Sequence, residues 1–300
     1  KQAKAIKAFF AKWNPDSAKD NEILRPYITD FLKGGNITFR IDGNYPQNDA
    51  EIIAAWDEYY ASQSAEQRGI CLVTGQEGPI ARLHPNIKGV RGAQSSGAAL
   101  VSFNAPAFES YGHEQGMNAN VSEYAAFAYT TALNSLLSDK KHSQQIGDTT
   151  LVFWAEHDDV ACTDCFADFL NDKVILTDED LRGLFGSIKS GQAIYINDKL
   201  INPENKFYIL GLSPNAARVS VRYLFENRYG YFLQNISRFY SDLQVAKPEY
   251  DTKEVLSLWQ ILQETANKNA KDKVATPLLT GAVMRSVLDG SAYQVALYQN

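Results

Sequence analysis

Apolar residues recur three and four apart through positions 1–33, and breaks at Asn14-Pro15 and Gly34-Gly35 cut that stretch into short helices. NITFRID at 36–42 changes the period. Ile37, Phe39 and Ile41 alternate with Thr38, Arg40 and Asp42, which predicts a half-buried strand ending in the turn GNYPQN. Helical spacing returns in DAEIIAAWDEYYASQ at 49–63. GICLVTG at 69–75 and AALVSFN at 98–104 read as short buried strands. VSEYAAFAYTTALNSLLSD carries Ala, Phe, Tyr and Leu on most sides, so it predicts a largely buried helix with Ser122 as N-cap. TTLVFWAE at 149–156 is apolar without interruption, the pattern of a strand central in its sheet.

KFYILGL and ARVSVRYLFE, separated by SPNA, predict a hairpin with a loop of about four or five residues. Alternation in its second strand places Val219, Val221 and Tyr223 on one face and Arg218, Ser220 and Arg222 on the other, two guanidiniums side by side. GYFLQNISRFYSDL is an amphipathic helix, and 251–300 continues as helices punctuated at Pro277 and Gly290. The fold class expected is α+β: a mixed sheet with a β-hairpin and packed helices, followed by a helical region. Residues 1–68 form a mainly helical lead-in with one short strand, 69–246 the core domain and 247–300 the helical region, with a linker near Ala246 to Pro248. No internal repeat stands out.

Composition narrows the function classes. The 300 residues, 45% hydrophobic and 21% charged, suffice for a sizeable core. No apolar run approaches the roughly 20 residues of a membrane span. The chain opens KQAKAIKAFF, without an initiating Met or a signal-peptide core, so upstream sequence is expected. Three cysteines point to free thiols and a reducing cytoplasm. A net charge of -6 argues against indiscriminate coating of nucleic acid. The charge is segregated, however. From 78 to 108 there is no acid, while Arg82, Lys88 and Arg91 stand with His84; from 205 to 225 acids are again absent beside Lys206, Arg218 and Arg222. Segment 156–180 is the opposite pole, with nine acids against Lys173 alone. Local basic faces on an acidic body suit a subunit that touches phosphate at chosen places.

Enzyme chemistries fit less well. Ala93-Gln94-Ser95-Ser96-Gly97 approximates a nucleophile elbow, but its strand follows the serine instead of preceding it. His142 with His157-Asp158 resembles the ligand pattern of a metal-dependent phosphohydrolase or nuclease, yet His157-Asp158 follows a strand where such ligands project from helices. Cys162 and Cys165, with His157 and Cys71, could offer four zinc ligands, but there is no second C-x-x-C, and the surrounding acids disfavour a reactive thiolate. Gly89, Gly92 and Gly97 lack the Lys-Ser/Thr of a phosphate-binding loop. No catalytic residue, metal or cofactor is expected. Glycine lets backbone approach a polyanion, Gln94, Ser95 and Ser96 donate without bulk, and Lys88 and Arg91 neutralise phosphate. The competing reading is a tight connection packed against the core or another subunit.

The stretches CLVTG through PIARLHPNIKGVRGAQSSGAALVSFNAPAFESYG, NANVSEYAAFAYTTALNSLLSD, IGDTTLVFWAE and FYILGLSPNAARVSVRYLFE resemble the large subunit of the type I-C CRISPR surveillance complex, Cascade, of the Csd family. The resemblance covers most of residues 5–295 and implies the central portion of a longer protein. It further implies a non-enzymatic, cytoplasmic role in prokaryotic antiviral defence. With other Cascade subunits and crRNA, such a subunit engages target double-stranded DNA, recognises a short flanking motif, stabilises opened strands and presents them to a separate helicase-nuclease. On this reading Arg82, Lys88, Arg91, Gln94, Ser95 and Ser96 contact duplex or strand over the Gly89, Gly92 and Gly97 backbone. Arg218 and Arg222 make a second phosphate contact, and Asn104 reads a base edge or caps a turn.

Overall fold

The computed structural model describes residues 2–22, 24–33, 38–62, 67–156, 159–171, 194–196, 199–243, 256, 258–266 and 275–299. Its secondary structure is mixed α+β. The chain divides into two compact units, 1–68 and 69–300.

In the first unit, α1 (Gln2–Lys12) ends before Asn14, whose side chain accepts from the Asp16 N–H and starts a 3-10 turn over Pro15–Asp20. α2 (Ile28–Leu32) and α3 (Ala50–Ser62) follow, and the Asp49 carboxylate accepts from the Glu51 N–H at 3.0 Å to open α3. Phe39 packs edge-on to Phe9 and Phe10. The strand expected over 36–42 does not form in the described part: Ile41 makes only a bridge to Asn44, the chain reversing at Asp42 and Gly43. Residues 36 and 37 and the Gly34-Gly35 break lie outside the described residues.

The second unit is built on an antiparallel sheet of β3 (Ser143–Ile146), β4 (Thr149–Ala155), β7 (Lys206–Asn215) and β8 (Arg218–Arg228), in that order. Smaller ribbons pair β1 (Arg68–Ile70) with β2 (Glu77–Pro79) and β5 (Ile194–Ile196) with β6 (Lys199–Ile201). β4, the apolar run, is interior, as its sequence demands. Leu151 and Phe153 face one side, with α5 (Val160–Leu170), α6 (Tyr229–Asp242), α7 (Leu258–Glu264) and α8 (Pro277–Asp289) contributing to that core. Val152 faces the other side, against α4 (Glu123–Ser138) and the segment that carries Ile87, Val90 and Ala98. α8 ends at Gly290 in the left-handed conformation, and α9 (Ala296–Gln299) closes the described chain.

Several expectations are corrected. GICLVTG is a strand only as far as Ile70. Cys71 is buried, but Gly75 N–H bonds back to the Cys71 carbonyl at 2.8 Å, and the resulting turn leaves Leu72 and Val73 exposed. AALVSFN makes isolated bridges at Ala98 and Ala99 instead of a strand. The Ser122 hydroxyl caps α4, accepting from Ala125 N–H at 3.2 Å, yet α4 buries one face alone: Tyr124 and Phe127 are 71% and 63% exposed. The hairpin turn holds just Ala216 and Ala217, since Asn215 already pairs with Arg218. A bulge opposite Gly211 and Leu212 makes Arg222 an extra residue, so Val219 and Tyr223 enter opposite cores while Val221 is exposed. The linker proposed near Ala246 to Pro248 lies outside the described residues. No helix among those described is long and apolar enough to cross a membrane.

Candidate nucleic-acid interface

In HPNIKGVRG every third side chain turns inward: His84, Ile87 and Val90 are buried, and the residues between them are exposed. Apolar anchoring therefore orients Lys88 and Arg91 outward. Ile87 and Ala98 exchange two backbone hydrogen bonds of 2.9 Å each, closing the loop. The backbone N–H of Lys88 donates to Asn134 of α4 at 2.7 Å, and that of Arg91 donates to the Thr150 hydroxyl of β4 at 3.3 Å. The loop is thus pinned to both a helix and the sheet. Gly97, at φ +94° and buried, is required: a β-carbon there would lie 2.8 Å from Asn86 Cβ and 2.9 Å from the Ile87 carbonyl oxygen. Gly89 and Gly92 also hold positive φ, and both are exposed.

Arg82, Lys88, Arg91, Gln94, Ser95 and Ser96 are all exposed. Among the described residues, no carboxylate pairs with Arg82, Lys88 or Arg91. Arg82 is nonetheless engaged, donating to the Gln115 side chain at 2.7 Å. Arg218 donates to Asn104 Oδ1 at 2.6 Å and lies 4.2 Å above the Phe108 ring, so Asn104 accepts from a guanidinium and Arg218 is stacked. These two arginines hold a surface loop at Asn104–Phe108 and at Gln115, which sequence reasoning missed because its anchors come from distant positions. At the loop's tip Tyr111 is 99% exposed.

Arg218 and Arg222 do not act as a pair. Arg222 donates to Ser213 Oγ at 2.9 Å and to Asp148 at 3.3 Å, sharing none of these partners with Arg218. The bulge separates them. Asp148 partly offsets the Arg222 charge, although a half-exposed ion pair contributes only about 0–1 kcal/mol. Arg91 and Asp148 line one cleft, and Asp148 and Arg222 line its neighbour. Of the expected set, then, Lys88, Arg91, Gln94, Ser95 and Ser96 form one ridge, Arg222 lines a separate cleft that shares Asp148 with the one Arg91 lines, and Arg82, Asn104 and Arg218 hold the second loop.

His84 is a buried polar anchor of this region. Its Nδ1 shares a 2.7 Å hydrogen bond with the Tyr129 hydroxyl, while Nε2 is buried with no hydrogen-bond partner among the described residues. Burial lowers its pKa from the usual 6.5. A depressed base is protonated more readily in the unfolded chain, so folding stability is expected to fall as pH drops below about 6.5, by at most about 1.4 kcal/mol per pH unit. Thermal melts at neutral and mildly acidic pH check this: His84→Asn should cost less at the lower pH, and an equal cost at both would refute it.

The alternative chemistries find little support among the described residues. Cys71 lies in a different core cluster from Cys162 and Cys165, and all three are buried free thiols. Burial raises the pKa of Cys162 and Cys165, and Asp159 raises that of Cys162 further. No group of three or more His, Cys, Asp or Glu converges to hold a metal among the described residues; His157 and Asp158 lie outside them. His142 sits on the turn before β3, its Nδ1 3.1 Å from the Phe153 carbonyl.

No curated protein sequence matches the chain. The model of a CRISPR-associated family does, over residues 1–300. The chain accordingly belongs to the CRISPR-associated protein Cas_Csd1 family.

Proposed function

We propose that this chain is the non-catalytic large subunit of a type I-C CRISPR surveillance complex. In that role it helps recognise the flanking motif of target double-stranded DNA and stabilises the opened strands. The observation that carries the reading is the ridge: Lys88 and Arg91 stand exposed and unpaired among the described residues on a loop fixed by hydrogen bonds to α4 and β4. Rigid cations with no internal carboxylate retain their charge for phosphate, and the short polar side chains Gln94, Ser95 and Ser96 beside them allow close approach. The crRNA would supply sequence specificity by base pairing, leaving the protein to read backbone and a few base pairs. Other Cascade subunits, crRNA and a recruited helicase-nuclease are the partners, in the prokaryotic cytoplasm.

The test is duplex binding by the assembled complex with Lys88→Glu and Arg91→Glu together, in about 150 mM salt. Affinity is expected to fall by about tenfold or more, with a shallower salt dependence and intact assembly. Complexes carrying both changes that bind like the parent would remove the ridge from the site. Substituting Arg82 or Arg218 instead would disturb the loop they hold, so these are not the diagnostic positions.

A further inference from the structure

A cleft of about 700 Å³ opens directly beside the ridge, with Arg91 and Gly92 on its rim. Pockets of about 300–1,000 Å³ are the size that takes a small planar ligand. Trp259, Leu262, Pro214 and Pro277 give it apolar lining, the indole of Trp259 being the one aromatic plane among them. The Trp259 ring is held by a 3.2 Å hydrogen bond from Nε1 to the Leu170 carbonyl, so the indole plane is set before any ligand arrives. Arg91, exposed and without an ion-pair partner among the described residues, places a positive charge at the mouth.

The polar lining is largely committed elsewhere. Gln145 donates to the Gly147 carbonyl at 2.7 Å and accepts from Thr150 at 2.8 Å. Asp148 is held by Arg222 at 3.3 Å, and the Thr280 hydroxyl donates to the Thr276 carbonyl at 3.1 Å. A ligand there meets apolar surface on its faces, few free groups at its edges and a cation where it leaves the cleft. A ring attached to a phosphate has that chemistry.

We propose that this cleft receives one unpaired nucleobase, stacked against Trp259 with its phosphate on Arg91. The inference deepens the DNA-binding reading above and rests on it. A paired base is inaccessible within the duplex stack, so the cleft selects opened strand. With the lining groups already hydrogen-bonded, stacking instead of edge recognition supplies the contact, and binding is tolerant of base identity.

The test compares a labelled single strand of roughly ten thymidines with a duplex, both titrated into the chain by anisotropy. Trp259→Ala is expected to weaken single-strand binding about tenfold and to change duplex binding less than about twofold, while Trp259→Phe stays within about threefold of the parent. Gln263→Trp, one helical turn along α7 from Trp259, packs beside the indole and narrows the cleft, and should give the same single-strand loss. A photoreactive 5-iodouracil strand should crosslink to Trp259. Unchanged single-strand binding in both the Ala and the filling variants overturns the proposal, as does an equal loss for duplex. A parent chain that binds duplex but not single strand sinks this inference alone; one that binds neither also sinks it, and the duplex assay of the assembled complex then decides the DNA-binding reading.

Discussion

Phe153→Ala is expected to destabilise the second unit by about 3–5 kcal/mol, the range for emptying an aromatic site in a close-packed core. Phe153 has no accessible surface and lies in interior strand β4. Its ring meets Phe166 of α5 edge-on at 4.8 Å and Phe207 of β7 at 6.3 Å, so removing it takes away a contact between sheet and helix layers as well as apolar area. Backbone hydrogen bonds on both sides of β4 prevent the strand from moving in to fill the void. Urea unfolding of parent and variant checks the figure. Phe153→Leu, which refills most of the volume, should lose far less, and equal losses would point to something other than the cavity.

Gly97→Ala should be the costliest single change in the ridge. The left-handed backbone at φ +94° strains an L-residue by roughly 1–2 kcal/mol. The added methyl would meet Asn86 Cβ at 2.8 Å and the Ile87 carbonyl oxygen at 2.9 Å, and such overpacking adds about 1–3 kcal/mol. Both neighbours belong to the closed end of the loop, where Ile87 and Ala98 are paired. The expected result is therefore double: a lowered melting temperature and weaker duplex binding, although no charge has changed. A variant with parental stability and parental affinity would show that the loop tolerates opening at its base.

The elements that could be read from the sequence carried their own boundary chemistry. Ser122 before an apolar run, Pro277 opening a helix and Gly290 closing it each act locally, through a side-chain acceptor, a preset φ or a free left-handed turn. The interior position of TTLVFWAE followed from having no polar face. What was misread depended on partners that periodicity does not display. Leu72 and Val73 are apolar but sit on a turn closed by Cys71 and Gly75. The bulge at Arg222 changes which face each later residue takes, and neither Arg222 nor its neighbours bear a bulge-forming glycine. Ala216 adopts φ +51° with none of the usual turn residues, so the hairpin appeared longer in its loop and shorter in its strands.

The candidate site divides along the same line. Charge segregation drew attention to Lys88 and Arg91, and their outward direction is set by buried His84, Ile87 and Val90 at every third position. Arg218 could not be distinguished from a free cation without Asn104 and Phe108 beside it, and Arg222 could not without Asp148. Trp259 joins the cleft from α7, brought there by core packing and its hydrogen bond to Leu170, partners far away in sequence.

Ala99 meets the outer strand of the sheet through two hydrogen bonds, donating to Ala217 and accepting from Val219. β8 would otherwise offer those backbone groups to any passing chain, the usual beginning of intermolecular strand pairing. Through Ala99 the cationic segment also serves as a guard on an aggregation-prone border. A change that opens the loop where Ile87 and Ala98 pair would therefore uncover sticky strand backbone in the same event that loosens the segment carrying Lys88 and Arg91.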